Sequence, residues 1–278
     1  MIPKREILEL AQIKGVEPRI IEKDYVLGWL LVGINEHPAL KAKWIFKGGT
    51  ALKKCYFNDY RFSEDLDFTV LDVNHINQEF LQNTFKNILE NVIEQSGIDF
   101  EINATKFDIH PDKNEGYVTG SVYYRGPLGL RGSLSKVLLD ILNKEILSLG
   151  AHERKIYHDY SDYLADNFFS YCYCLEELFA EKLRALADRA RPRDLYDAIS
   201  IYKLQGAFIN KVKLISALKD KCAFKNIPMP TVDSILHHNK FNELKEEWAN
   251  MLKHQVPNLS DIEMYLNELS KLFKWLEK

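Results

Sequence analysis

The chain has 278 residues and a formal net charge of −3, long enough to bury a substantial core in one large domain or two smaller ones. The balance of 37 basic against 40 acidic residues excludes a globally basic nucleic-acid coat, so any contact with RNA must be local. The opening Met1-Ile2-Pro3-Lys4-Arg5-Glu6 lacks the apolar core and small-residue cleavage site of a secretory signal, and no apolar run reaches bilayer length; the expectation is a cytoplasmic protein without a membrane partner.

In chain order, helical spacing is predicted over residues 5–14 and 17–35, the second with an apolar stripe of Ile20, Ile21, Val26, Leu27, Leu30 and Leu31. The short apolar run Trp44-Ile45-Phe46 then ends at Lys47-Gly48-Gly49-Thr50, followed by good helix formers from Ala51. This reads as strand, tight turn and helix. Glycines without a Cβ let backbone amides approach an anion, and the unsatisfied amides of a helix start favour phosphate. Thr50 caps that helix or bonds a phosphate oxygen; the alternative is an ordinary turn.

Residues 65–70 favour a strand in which Ser63, Asp65 and Asp67 project from one face while Leu66 and Phe68 point to the other. Carboxylates this close repel one another unless a cation lies between them, and hard oxygen ligands suit Mg²⁺ shared with substrate phosphates. The competing reading is a solvated edge strand. A helix follows over 73–95 with Gly97 as its stop, then strands over 99–109 and 116–125 around a turn of Pro111, Asp112, Lys113 and Asn114. The apolar run 134–142 carries one carboxylate, Asp140. It is either a third metal ligand or a surface-facing strand residue, because an unpaired buried charge is costly.

From residue 175 onward the pattern is helical, interrupted at Pro192, Pro228, Pro230 and Pro257. Lys182 and Arg189 lie seven residues apart and share one side of a helix, and Pro192 opens the next helix with Asp194 near its positive end. That basic side faces a triphosphate or RNA, or is simply a solvated charged face. Segments 241–253 and 260–278 are amphipathic, as bundle helices are. The four cysteines, Cys55, Cys172, Cys174 and Cys222, form no Cys-x-x-Cys pair. Reduced thiols are expected rather than a zinc site completed by His152, His158, His237 or His238.

Gly48-Gly49-Thr50, Ser63-x-Asp65-x-Asp67, a later strand Asp140, Lys182 and Arg193-Asp194-x-x-Asp197, taken in order, resemble the AbiEii/AbiGii toxin family of nucleotidyltransferases; Glu22-Lys23-Asp24-Tyr25 looks like its amino-terminal pattern. One departure is Thr50 where the wider superfamily generally has serine. The resemblance implies an α+β fold: a polymerase-β-like nucleotidyltransferase domain at 1–168, with a mixed sheet flanked by helices, and an α-helical domain at 169–278 closing the active-site cleft. It implies Mg²⁺, with Mn²⁺ as the alternative, on Asp65, Asp67 and Asp140. It further implies nucleotide binding by Lys47, Gly48, Gly49, Thr50, Ser63, Lys182 and Arg193, and a functional role for Asp194. Ser63 matches a serine whose phosphorylation silences some relatives. The expected reaction transfers NMP from an NTP to an RNA acceptor, the tRNA 3′ end by resemblance, in a toxin–antitoxin or abortive-infection system whose antitoxin carries a winged helix. A protein-modifying nucleotidyltransferase and a non-catalytic nucleotide-binding module are the alternatives.

Overall fold

The computed structural model describes residues 1–110, 116–129, 132, 134–162 and 168–277, so the turn expected at Pro111–Asn114 lies outside the described residues. The chain divides into two units. The first comprises Met1–Glu145 with Ala151–Tyr173, the second Ile146–Gly150 with Cys174–Lys278.

The first unit opens with α1 (Lys4–Lys14) and α2 (Pro18–Glu36). Strand β1 (Trp44–Lys47) leads directly into a short helical turn, α3 (Gly48–Ala51), which continues as a π-turn over Leu52–Tyr56. Strand β2 (Asp65–Val70) follows, then α4 (Gln78–Ser96), whose start is fixed by the Asn77 side chain accepting from the Phe80 amide. The helix expected from residue 73 therefore begins later, after a separate 3₁₀ turn at Val73–His75. The strand expected over 99–109 is broken by a 3₁₀ turn at Ile102–Ala104 into β3 (Asp99–Phe100) and β4 (Lys106–His110). Strands β5 (Tyr117–Arg125) and β6 (Ser135–Leu142) fall within the strand expected over 116–125 and the apolar run 134–142. Two more, β7 (Ala151–Lys155) and β8 (Phe169–Tyr173), complete an eight-stranded mixed sheet in the order β3-β5-β6-β2-β1-β8-β7, with β4 beside β5.

The sheet's two faces differ in kind. Trp44, Phe46, Phe68, Leu139, Ile141 and Phe107 are all buried, and helices α2 and α4 pack against the sheet. Phe85 of α4 meets Trp44 at 5.8 Å and Phe107 at 4.8 Å between ring centres. The other face carries Asp65 and Asp67 of β2, each half-buried, as the period-two geometry of a strand requires.

The structure divides the chain at Tyr173, beyond the 168/169 boundary, because β8 pairs in parallel with β1 through Phe46 and Cys172. Residues 146–150 belong with the helical unit for an equally local reason. The amides of Ser148 and Leu149 donate to the Glu177 carboxylate at 2.8 and 2.9 Å, and Lys221 donates to the Ile146 carbonyl at 3.0 Å. The helical unit consists of α5 (Leu175–Arg189), α6 (Pro192–Gln205), α7 (Lys211–Phe224), α8 (Val232–Leu236), α9 (Phe241–Leu252) and α10 (Ile262–Glu277). No helix among the described residues is long and apolar enough to cross a membrane, and all four cysteines are buried free thiols.

One buried ion pair ties α2 to the π-turn that follows the glycines. Lys54 donates to Asp24 at 2.7 Å and the Tyr160 hydroxyl adds a second bond at 2.8 Å, with both charged side chains almost inaccessible. Burial pushes the Asp24 carboxyl up, but the charges of Lys54 and Lys53 prevail and hold it below the ordinary carboxylate range. Its stabilising contribution is therefore complete above the ordinary Asp pKa and is lost as pH falls below that range. In urea unfolding, Asp24→Ala should cost about 3–5 kcal/mol by stranding a buried ammonium, and the double substitution Asp24→Leu with Lys54→Met should recover most of that loss.

Candidate active site

The site in the first unit follows from strand register. Lys47 of β1 lies opposite Asp67 of β2, Asp67 lies beside Asp140 of the parallel strand β6, and Asp140 lies opposite Thr119 of β5. Residues paired in this way project from the same face of a sheet, so the four form one row across four strands. Asp65, two residues from Asp67, joins them on that face.

The glycine turn is pressed onto this row. Gly48 has φ of +77°, and a Cβ there would sit 2.1 Å from Asp67 Oδ2, so the position demands glycine on conformational and steric grounds at once. A Cβ on Gly49 would lie 2.5 Å from a guanidinium nitrogen of Arg61 and 3.2 Å from Ser63 Oγ. Ser63 thus stands against the turn, with Arg61, only 3% exposed, beneath it. Thr50 does not cap the helix, whose N-cap is Lys47. It is buried and donates to the Asp65 carbonyl at 2.5 Å, tying the turn to the acidic strand. Lys47 is buried too, with its ammonium 3.4 Å from the Glu145 carboxylate.

Asp140 is held from the neighbouring strand. The Tyr117 hydroxyl donates to Asp140 Oδ1 at 3.0 Å, and its ring stacks on His110 with centres 5.1 Å apart. The His110 imidazole in turn shares a 2.8 Å hydrogen bond with the Thr119 hydroxyl. Burial, then the charge and hydrogen bond of Asp140, then the charges of Asp67 and Asp65 push the Tyr117 hydroxyl up to about 12. One phenol thus feels all three carboxylates. No group of three His, Cys, Asp or Glu side chains among the described residues is gathered closely enough to hold a metal ion alone. The donor set fits a hard divalent cation that takes carboxylate oxygens from the protein and further oxygens from substrate phosphates.

The helical unit holds the second group. Lys182 of α5 lies 2.7 Å from Asp197 Oδ2 and 3.5 Å from Asp194 Oδ1, both on α6 and both inaccessible. Arg189 closes on Asp194 with two bonds, Nε to Oδ2 at 2.7 Å and Nη2 to Oδ1 at 3.0 Å. Ala190, in the left-handed conformation, and Pro192 make the turn that brings the two helices' charges together. Although burial raises the Asp194 carboxyl, Lys182 and Arg189 hold it below the ordinary range. With both oxygens engaged by cations, Asp194 is built to orient them. Arg193 is half-buried in the first turn of α6.

A family model for the nucleotidyl transferase AbiEii toxin of type IV toxin–antitoxin systems matches residues 29–275. The chain belongs to the AbiEii family. An AbiEii protein is a nucleotidyltransferase toxin, with an NTP as substrate, a divalent metal as the general requirement and an antitoxin in its system. The fold agrees with solved structures. MenT4, a nucleotidyltransferase toxin of Mycobacterium tuberculosis, superimposes with a TM-score of 0.65 at 17% identity, covering 100% of this chain and 90% of its own. JHP933 of Helicobacter pylori gives 0.59 at 18%, covering 94% and 93%. No curated protein matches the chain in sequence.

Four participants stand beside the expected AbiEii site residues. Asp197 makes the shortest contact to Lys182, and the Arg193-Asp194-x-x-Asp197 spacing already contained it. Arg189 was visible as a basic residue on the same side of the helix as Lys182. Arg61 lies two residues before Ser63, with Phe62 between them. Tyr117 carried no signal, because only the β5–β6 register brings it to Asp140. Gly48→Ala should reduce transferase turnover by about a hundredfold while leaving the circular dichroism spectrum intact, because it displaces Asp67. Gly49→Ala, which meets the movable end of Arg61, should cost less.

Proposed function

We propose that this AbiEii toxin transfers NMP from an NTP to the 3′ end of an RNA, a tRNA in the first instance, with Mg²⁺ held by Asp65, Asp67 and Asp140. The observation that carries the reading is the row of Asp67 beside Asp140 with Gly48 pressed against Asp67. When bound, the cation would draw charge off the phosphates and the leaving pyrophosphate. Everything else is assigned to the chain itself.

Backbone amides of the Gly48-Gly49 turn and the Ser63 hydroxyl bind phosphate oxygens, and Arg61 keeps the turn in place. Lys182 offsets triphosphate charge and is oriented by Asp197 and Asp194; Arg193 contributes a second cation. Tyr117 fixes the Asp140 carboxylate. The acceptor hydroxyl attacks the α-phosphorus and gives its proton to Asp140 or solvent water, the bond from the α-phosphorus to the oxygen bridging to the β-phosphorus breaks, and pyrophosphate departs. Lys47, paired with Glu145, braces the row instead of meeting the nucleotide, and Thr50 anchors the turn. In this reading the protein acts in the cytoplasm, where its substrates are. The cognate antitoxin is expected to carry a winged helix.

With labelled NTPs, Mg²⁺ and total RNA, the wild-type protein should label tRNA-sized species, and Asp65→Ala or Asp67→Ala should lower the rate by on the order of a thousandfold. Labelling confined to polypeptide would assign the acceptor to protein, and absence of NTP turnover together with absence of Mg²⁺-dependent NTP binding would end the reading.

A further inference from the structure

The first unit contains a cleft that the acidic row does not use. It opens between α1, α2, the π-turn after the glycines and the segment leading to Tyr160, and encloses about 60 Å³. Lys14, Lys53 and Lys54 line it, together with Asn58 and Tyr157. Two of the three ammonium groups have a carboxylate: Lys54 meets Asp24 at 2.7 Å, and Lys14 at the rim meets Asp59 at 3.2 Å.

Lys53 differs. The residue is 8% exposed, its Nζ stands 4.4 Å from the centre of the Phe62 ring, and it donates one long bond of 3.4 Å to the Asn58 carbonyl. Among the described residues no carboxylate lies within ion-pair distance of it. Burial lowers its pKa, as it must for an ammonium with so little solvation. A buried cation with one weak bond and a ring contact is incompletely compensated.

The remaining lining supplies donors rather than charge. Tyr157 is half-buried and its hydroxyl makes no hydrogen bond to the described residues, and the exposed Asn58 offers a side-chain amide at the mouth. Of the two acids that line the cleft, Asp24 is engaged by Lys54 and Tyr160, and Asp159 is exposed. The lining sets the ammonium groups of Lys14, Lys53 and Lys54 against the carboxylates of Asp24 and Asp159, an excess of one positive charge, and Lys53 is the ammonium that no carboxylate among the described residues engages.

We infer that this cleft binds a single phosphate group, with Lys53 as its principal contact and Lys14 and Tyr157 at its sides. The group is either a free inorganic anion or one phosphodiester of a single-stranded RNA, whose bases stay outside. Lys53 and Lys54, adjacent in sequence, then have different duties: one receives a ligand and the other secures α2. The inference stands apart from the nucleotidyl-transfer reading, since the cleft shares no residue with the acidic row or with the Lys182 group.

The test titrates inorganic phosphate into the intact protein at constant ionic strength without divalent cation, by calorimetry, in the wild type, Lys53→Met and Lys182→Ala. Lys53→Met keeps the apolar stem over Phe62 and should weaken binding at least about tenfold, the loss of one charge-assisted contact. Its thermal midpoint should equal or exceed that of the wild type, which shows it folded. Lys14→Met should weaken binding less, and Lys182→Ala should leave it unchanged. A parallel titration with a hexaribonucleotide lacking terminal phosphates separates the sources: a Lys53-dependent affinity assigns the site to RNA, and a response to inorganic phosphate alone assigns it to the free anion. Equal phosphate affinity in Lys53→Met and the wild type, or loss of binding in Lys182→Ala, would overturn the inference.

Discussion

The contact between the Gly48 backbone and the Asp67 carboxylate sets the geometry of the first unit's site. It exists because β1 runs antiparallel to β2 with Lys47 opposite Asp67, so the chain leaving β1 must turn directly over the acid. Only a residue without a Cβ, at positive φ, permits that turn. The same register places Asp67 beside Asp140, and Thr50 secures the arrangement from behind by bonding the Asp65 carbonyl. An amide-rich turn and a carboxylate row are thereby brought into contact, which is what binding a polyphosphate together with a cation requires.

Charged groups in both units are positioned by other charges, and their burial is better understood as orientation than as stability. Replacing buried ion pairs with apolar residues is often neutral or stabilising, so their retention points to a geometric duty. In the helical unit Asp194 and Asp197 hold Lys182 and Arg189 in fixed relation, at the junction where α5 ends and α6 begins. In the first unit Asp24 holds Lys54, and Glu145 holds Lys47. Tyr117 performs a comparable task with a neutral group, donating to Asp140 from a ring supported by His110. Lys53, without an ion-paired partner, is the exception that the phosphate cleft explains.

Much of this was legible in the sequence, and the boundary between what was and was not is physical. Period-two alternation revealed β2 and β5, an apolar run revealed β6, and Gly48-Gly49 followed by Asp65 and Asp67 revealed the site, because these signals are local. Strand β7 escaped because it is exposed at every position and so shows no alternation, and β8 because its pairing with β1 joins residues far apart in sequence. Register is likewise non-local, which is why neither the approach of Tyr117 to Asp140 nor the bond from Thr50 to the Asp65 carbonyl could be read from the chain. Asp194 was recognisable as important, whereas its role became readable only once both its oxygens were seen to be engaged by Lys182 and Arg189.

Transfer depends, in the function proposed above, on a divalent cation held against an NTP by the row of Asp65, Asp67 and Asp140. Anomalous diffraction at the manganese edge, from crystals grown with Mn²⁺ and a non-hydrolysable NTP analogue, measures this directly. The expected result is an anomalous peak in direct coordination with Asp67 and at least one of Asp65 and Asp140, with the phosphates against the Gly48-Gly49 turn. Bound analogue with no manganese on these carboxylates, or with its phosphates away from that turn, would contradict it.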